Sequence, residues 1–202
     1  MFKKLVITSL MVFGLNACSQ GSNIEEQAAS FSQLNHKQAL LQAHQWYKNE
    51  QDILVRVYPD KVAATFADGT ESHVAIPEDQ FLLSIAPWVN FSHPCGNHVP
   101  TSCTGELINQ KMHMSAIDIE TGEKILNQMV TTQHDGFIDF WVPRNRQLKF
   151  TFHYSDANGV HHEAQELLTT FDDSRTCITT MQLVAMNTSD TQMNVHNQHQ
   201  HH

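Results

Sequence analysis

Between His93 and Cys103 the chain reads His-Pro-Cys-Gly-Asn-His-Val-Pro-Thr-Ser-Cys, two thiols and two imidazoles within one short stretch. Pro94, Gly96 and Pro100 exclude a helix interior and a central strand, so this is an irregular loop held between regular elements, with its side chains turned toward a common point. Thiolate with imidazole suits Cu(I) or Zn(II) and suits Mg or Ca poorly. Cys95 and Cys103 are spaced wider than the paired cysteines of structural zinc sites, and no second close pair completes a tetrahedron. Digonal or trigonal Cu(I) held by sulfur with imidazole support fits better, and zinc is the alternative. The competing reading is a structural disulfide, Cys95–Cys103 or one of these with Cys177, which leaves one thiol inert.

The start of the chain bears on that choice. Lys3 and Lys4 precede an almost uncharged apolar run, Leu5 to Leu15, too short for a membrane span and right for a signal-peptide core. Leu15-Asn16-Ala17-Cys18 has the form of a bacterial lipobox, so residues 1–18 read as a signal peptide whose Cys18 is lipidated. A plain secretory peptide cleaved near Ala17 is the alternative. With Cys18 set aside, Cys95, Cys103 and Cys177 remain, an odd number in an oxidising compartment, and an exported free thiol calls for a metal or redox role. The 12 basic and 21 acidic side chains leave no basic patch for nucleic acid.

Residues 19–33, rich in Ser, Gln, Asn and Ala, read as a flexible tether. His36 to Glu50 has helical spacing, with Leu40, Ala43, Trp46 and Tyr47 on one stripe and Asn35 as N-cap. His44, on the border of that stripe, reads as a hydrogen-bonded, half-buried imidazole. Ile53–Tyr58, Val62–Phe66 and Glu71–Ile76 alternate as strands, with Asp68-Gly69 as a hairpin turn. Strand candidates then follow at Phe81–Ile85, Gly105–Met114, Ile117–Ile119, Gln128–Gln133, Phe137–Val142, Leu148–Tyr154, His161–Thr170 and Thr179–Val184. The expected class is α+β: a small helix-plus-antiparallel-sheet domain over 34–78, then an all-β sandwich-like domain over 79–186. In the strand from Gly105, Met112 and Met114 face the core and His113 faces away. Residues 187–202 read as a disordered tail whose His196, His199, His201 and His202 either buffer metal loosely or are inert. If the strand after Cys177 lies beside the one begun at Gly105, Cys177 faces the His93–Cys103 loop.

Three segments carry a family resemblance: Phe81-Leu-Leu-Ser-Ile-Ala-Pro-Trp-Val89, His93-Pro-Cys-x2-His-x4-Cys-x-Gly-Glu-Leu107 and Thr176-Cys-Ile-Thr-Thr-x-Gln-Leu183. Together with Gly136-Phe and Trp141-Val-Pro-Arg144, they resemble the CueP-type periplasmic copper-binding proteins, over roughly Leu40 to Val184. The resemblance implies a copper sequestration and resistance protein with Cys95, Cys103 and Cys177 as the functional thiols. His93 and His98 fall in the matching loop. It also implies a two-domain subunit that pairs as a homodimer through its N-terminal part. The lipobox and the histidine tail are additions to the pattern, and the lipobox favours a periplasmic protein tethered to the membrane.

The expected function is therefore binding rather than enzymatic catalysis. Copper is held as Cu(I), Cu(II) is reduced as a disulfide forms, and a thiol reductant and a periplasmic copper acceptor are the implied partners. Cys103 and Cys177 are expected as the primary copper pair, with Cys95 as third ligand or exchange partner. Two other functions compete: a metal-free thiol oxidoreductase, disfavoured by the lack of Cys-x-x-Cys, and a disulfide-stapled lipoprotein that binds a protein partner.

Overall fold

The computed structural model describes residues 19–49 and 52–186. Residues 1–18, expected to be a signal peptide ending in Cys18, and residues 187–202 with His196, His199, His201 and His202 lie outside the described residues. Among the described residues no helix is long and apolar enough to cross a membrane.

The stretch read as a tether is largely helical. Helix α1 (Ser19–Ser32) buries Ala28 and Phe31, with Ile24 packed beside them. These three residues have the i, i+4, i+7 spacing of a helix face, a stripe obscured by the polar composition around it. Phe31 stacks on Trp46 with ring centroids 5.7 Å apart, and Ser72 Oγ donates to the Ala28 carbonyl at 2.7 Å. Helix α2 (His36–Gln45) begins at the expected cap. The Asn35 side chain accepts from the Gln38 amide, and the Gln38 side chain accepts from the Asn35 amide, a reciprocal capping box. Both helices pack on an antiparallel sheet of β1 (Leu54–Val57), β2 (Lys61–Thr65) and β3 (Glu71–Ala75).

The rest is two packed sheets. One orders β10 (Cys177–Ile178), β4 (Gln80–Ile85) and β7 (Ile138–Pro143). The other orders β11 (Val184–Ala185), β9 (His161–Thr169), β8 (Gln147–Ser155), β5 (Lys111–Asp118) and β6 (Lys124–Thr131). Phe81, Leu83 and Ile85 of β4, Phe140 of β7, Met112 and Met114 of β5, and Phe150 and Phe152 of β8 fill the space between them. This is the alternation of a sandwich, and the class is α+β.

Strand β4 explains how the two halves join. It is buried on both faces: Leu82, pointing away from the sandwich, belongs to the core of the helical unit. The β10-β4-β7 sheet is therefore a middle layer.

Two further expectations change. Gly105 to Gln110 is irregular, and the candidate strands around Lys111 and Ile117 form one continuous strand, β5. Cys177 is not beside that strand. It starts β10, which runs parallel to β4 with Cys177 opposite Ser84. The loop still reaches it, because the Cys177 amide donates to the Gly96 carbonyl at 3.1 Å.

Candidate metal centre

Besides the Cys177–Gly96 contact, several crossings hold the His93–Cys103 loop, and two position the site. At the first, the His98 amide donates to Thr176 Oγ1 at 3.0 Å, Thr176 Oγ1 donates to the Val57 carbonyl at 2.7 Å, and the Val57 amide donates to the His98 carbonyl at 2.8 Å. One buried threonine thus ties the loop, the segment leading into β10 and the N-terminal sheet together. At the second, the Gly105 amide meets the Asp135 carbonyl at 2.6 Å. A Cβ built on Gly136 would lie 2.7–2.8 Å from the Gly105 backbone, and Gly136 has φ +82°. Only glycine allows both the approach and the turn there.

The three sulfurs converge. Cys95 and Cys177 form a disulfide, Cα to Cα 5.6 Å, and Cys103 is the free thiol with Sγ 3.9 Å from that of Cys95. This selects one of the pairings that sequence left open. It also bears on the expected Cys103–Cys177 pair: in this state Cys177 is covalently engaged with Cys95. Cys177 is fully buried with Ala86 and Phe137, and Cys95 and Cys103 pack against that cluster. Burial pushes the Cys103 thiol up from its ordinary value.

Both predicted histidines are within reach. Ligand atoms of His93, Cys95 and Cys103 lie within 4.8 Å of one another, as do those of His98, Cys103 and Cys177. Cys103 is common to both sets. His98 is fully buried against Phe137, centroids 4.5 Å apart, and both its ring nitrogens lack a hydrogen-bond partner. Burial lowers its pKa to about 4, opposed only in part by Asp139 and Asp135. It is therefore a neutral imidazole with its lone pair unspent, the form that ligates metal. Buried polar atoms are nearly always paired, so an orphaned ring beside the Cys103 and Cys177 sulfurs fits a copper ligand on its own chemistry.

Sequence reasoning missed what lies behind His98. His44 is buried, its Nε2 2.7 Å from Asp139 Oδ2. Its Nδ1 is 3.3 Å from Asp135 Oδ2, an ion-pair contact whose geometry falls short of a hydrogen bond. Burial by itself would lower the His44 pKa, but the two carboxylates outweigh it and raise it to about 9. Burial would raise Asp139, yet His44, His98 and the Ser84 hydroxyl bring it down to about 2. Gln133 Nε2 donates to the same carboxylate at 2.9 Å. In the sequence Asp135 precedes a glycine in turn-forming fashion, and Asp139 lies within the candidate strand Phe137–Val142. The signal available was that Asp139 interrupts an otherwise apolar strand, Phe137 to Val142.

Comparisons with known proteins place the chain in a family and a fold. A family model described as "Periplasmic copper-binding protein CueP" matches residues 38–182. Among solved structures, one titled "Crystal Structure of S.CueP" superposes with a TM-score of 0.67 at 23% identity, covering 82% of this chain and 98% of that one. That likeness shows the fold. No curated protein matches significantly.

Proposed function

The chain belongs to the CueP family of periplasmic copper-binding proteins, and from that premise we propose that it holds copper as Cu(I) on Cys95, Cys103 and Cys177 with His98 as the nitrogen ligand. The observation that carries this reading is the buried, unpartnered His98 ring within 4.8 Å of Cys103 and Cys177 sulfur. His93, less buried and grouped with Cys95 and Cys103, sits at the entrance and passes the ion inward. Copper is cargo here, and the protein is a binder rather than an enzyme. Three cysteines and one histidine are also a set that zinc accepts, so the preference for copper rests on the family match and on the redox-active sulfurs.

The disulfide defines the redox step. An external dithiol reduces Cys95–Cys177 and is itself oxidised to a disulfide, leaving three free cysteines. When Cu(II) arrives, two thiols lose their protons to solvent and one electron each to a Cu(II) ion. The S–S bond reforms and two Cu(I) result. With Cys95–Cys177 closed again, one Cu(I) rests on Cys103 and His98 until the dithiol reopens the three-sulfur set, and the other leaves for an acceptor. Metal-free thiol exchange has one observation in its favour, the 3.9 Å between Cys103 and Cys95 sulfur. Burial pushes the Cys103 thiol up, so little thiolate is present to attack unless copper displaces the proton. A lipid on Cys18 would tether the protein to the membrane. Self-association through the N-terminal unit, where Leu41 of α2 is 63% exposed, belongs to the same reading.

The test is Cu(I) competition against a chromophoric chelator on fully reduced protein. Cys103→Ser should weaken binding at least about tenfold, or ~1.4 kcal/mol. Copper-edge X-ray absorption should lose sulfur scattering in the same variant. Unchanged affinity rejects Cys103 as the shared ligand.

A further inference from the structure

The outer face of the five-stranded sheet carries a row of donors that the thiol centre does not use. Met129 of β6 pairs with His113 of β5, His113 with His153 of β8, and His153 with Glu163 of β9. Directly paired residues share a face, so the four stand side by side across four strands. Met112 and Met114 point into the core, which puts His113 outward, and Met129 is 54% exposed. The His113 and His153 rings are 6.0 Å apart at an inclination of 32°. His113, Met129 and His153 line one open groove together with Lys111, His161 and Met186.

Glu163 lies on the far side of His153, its Oε2 3.4 Å from Nδ1. The contact is an ion-pair distance rather than a hydrogen bond, and a small approach of the carboxylate would hold the proton on that nitrogen and leave the other as the donor, the way ligating histidines are commonly oriented. Cross-strand Cβ atoms are about 5 Å apart, close enough for a methionine thioether beside His113 to reach an ion held between the two rings. Imidazole accepts several transition metals, and the thioether adds preference for a soft monovalent one.

We propose that this row is a second copper site, in which His113, His153 and Met129 take Cu(I) in a trigonal set of two imidazole nitrogens and one thioether sulfur, and Glu163 orients His153. It shares the cargo of the proposed function and none of its residues. Being open to solvent, it exchanges its ion freely, as an acquisition surface must.

The experiment uses the full chain with His196, His199, His201 and His202 changed to alanine. Ag(I) serves as a redox-inert stand-in for Cu(I), and imidazole and methionine-methyl NMR signals are followed. The Met129 methyl and the His113 and His153 rings should shift together and saturate. The double variant His113→Ala/His153→Ala should lose one metal equivalent and keep the thiol-bound one. Glu163→Gln should weaken the surface equivalent about ten- to hundredfold without removing it. If the three signals stay still while the thiol site fills, or the double variant keeps every equivalent, the surface site does not exist. Cys103→Ser in the same background separates the two readings, because it should leave the three surface signals responding as before.

Discussion

His44 and His98 lie with their rings 6.3 Å apart, both buried, and their surroundings give them opposite charge states. Burial pushes both pKa values down. His44 ends near 9 because it has carboxylates at both nitrogens, whereas His98 ends near 4 because neither nitrogen has a partner. His98 is the deeper of the two, and the carboxylate partners that His44 has and His98 lacks widen the split. On the N-terminal side the imidazole is a cationic clamp between α2 and β7. On the sulfur side it is an uncharged ring with a lone pair to offer. The clamp places two carboxylates against one imidazolium, a negative balance that favours a cation beside His98.

The largest expected effect comes from removing the clamp in metal-free protein. His44→Ala leaves Asp135 and Asp139 buried without their cation, and breaking a buried pair in this way costs about 3–5 kcal/mol of unfolding free energy. The pH profile gives the sign. The His44 pKa is raised from 6.5 to about 9, so its contribution is complete below about 6.5 and fades as pH rises through about 9. The Asp139 pKa is lowered from 3.8 to about 2, so its contribution holds above about 3.8 and is lost as pH falls through about 2. Urea unfolding of wild type and His44→Ala should therefore differ most between about pH 4 and 6.5, and the gap should close on either side. A gap that widens from about pH 6.5 to 9 would show that His44 is not the charged partner.

The contrast also marks where sequence was legible. The Asn35 cap, the Asp68-Gly69 hairpin and the alternation through Phe81, Leu83 and Ile85 are local signals, and local physics decided them. The convergence of Cys95, Cys103 and Cys177 with His98 was legible through motif resemblance. Their disulfide connectivity was not, because it depends on β10 running parallel to β4 rather than beside β5. Asp135 and Asp139 stayed hidden for a related reason. A single acid in an alternating strand ordinarily faces water, but the N-terminal unit covers that face of the middle sheet and supplies His44. Thr176 is likewise an unremarked threonine until three segments meet on its hydroxyl.

A smaller effect should act on both sides at once. Gly136 follows Asp135 of the clamp and touches Gly105, just beyond Cys103 of the sulfur loop. Gly136→Ala places a Cβ against Gly105 backbone at a φ of +82°, a strain of about 1–3 kcal/mol. The variant should melt earlier and also bind Cu(I) more weakly, since relief requires the loop to move away from the turn. Calorimetry and chelator competition on one sample check both. A loss of stability with wild-type Cu(I) affinity would mean that the two regions are mechanically separate.

The smallest effect on folding, and the sharpest division between the two rings, is expected at His98. Its nitrogens make no hydrogen bond, so His98→Leu removes two unsatisfied buried atoms and keeps an apolar body of similar size against Phe137. Replacing an unpaired polar group in this way is close to neutral, within about 1 kcal/mol in either direction. Cu(I) affinity of the reduced protein should nevertheless fall at least about tenfold, or ~1.4 kcal/mol, with nitrogen scattering lost from the copper-edge spectrum. His44→Ala should behave the opposite way, folding poorly while its folded fraction retains nitrogen and sulfur around copper. If His98→Leu loses several kcal/mol of stability and binds Cu(I) as before, the ring is a packing element and the distinction between the two imidazoles does not hold.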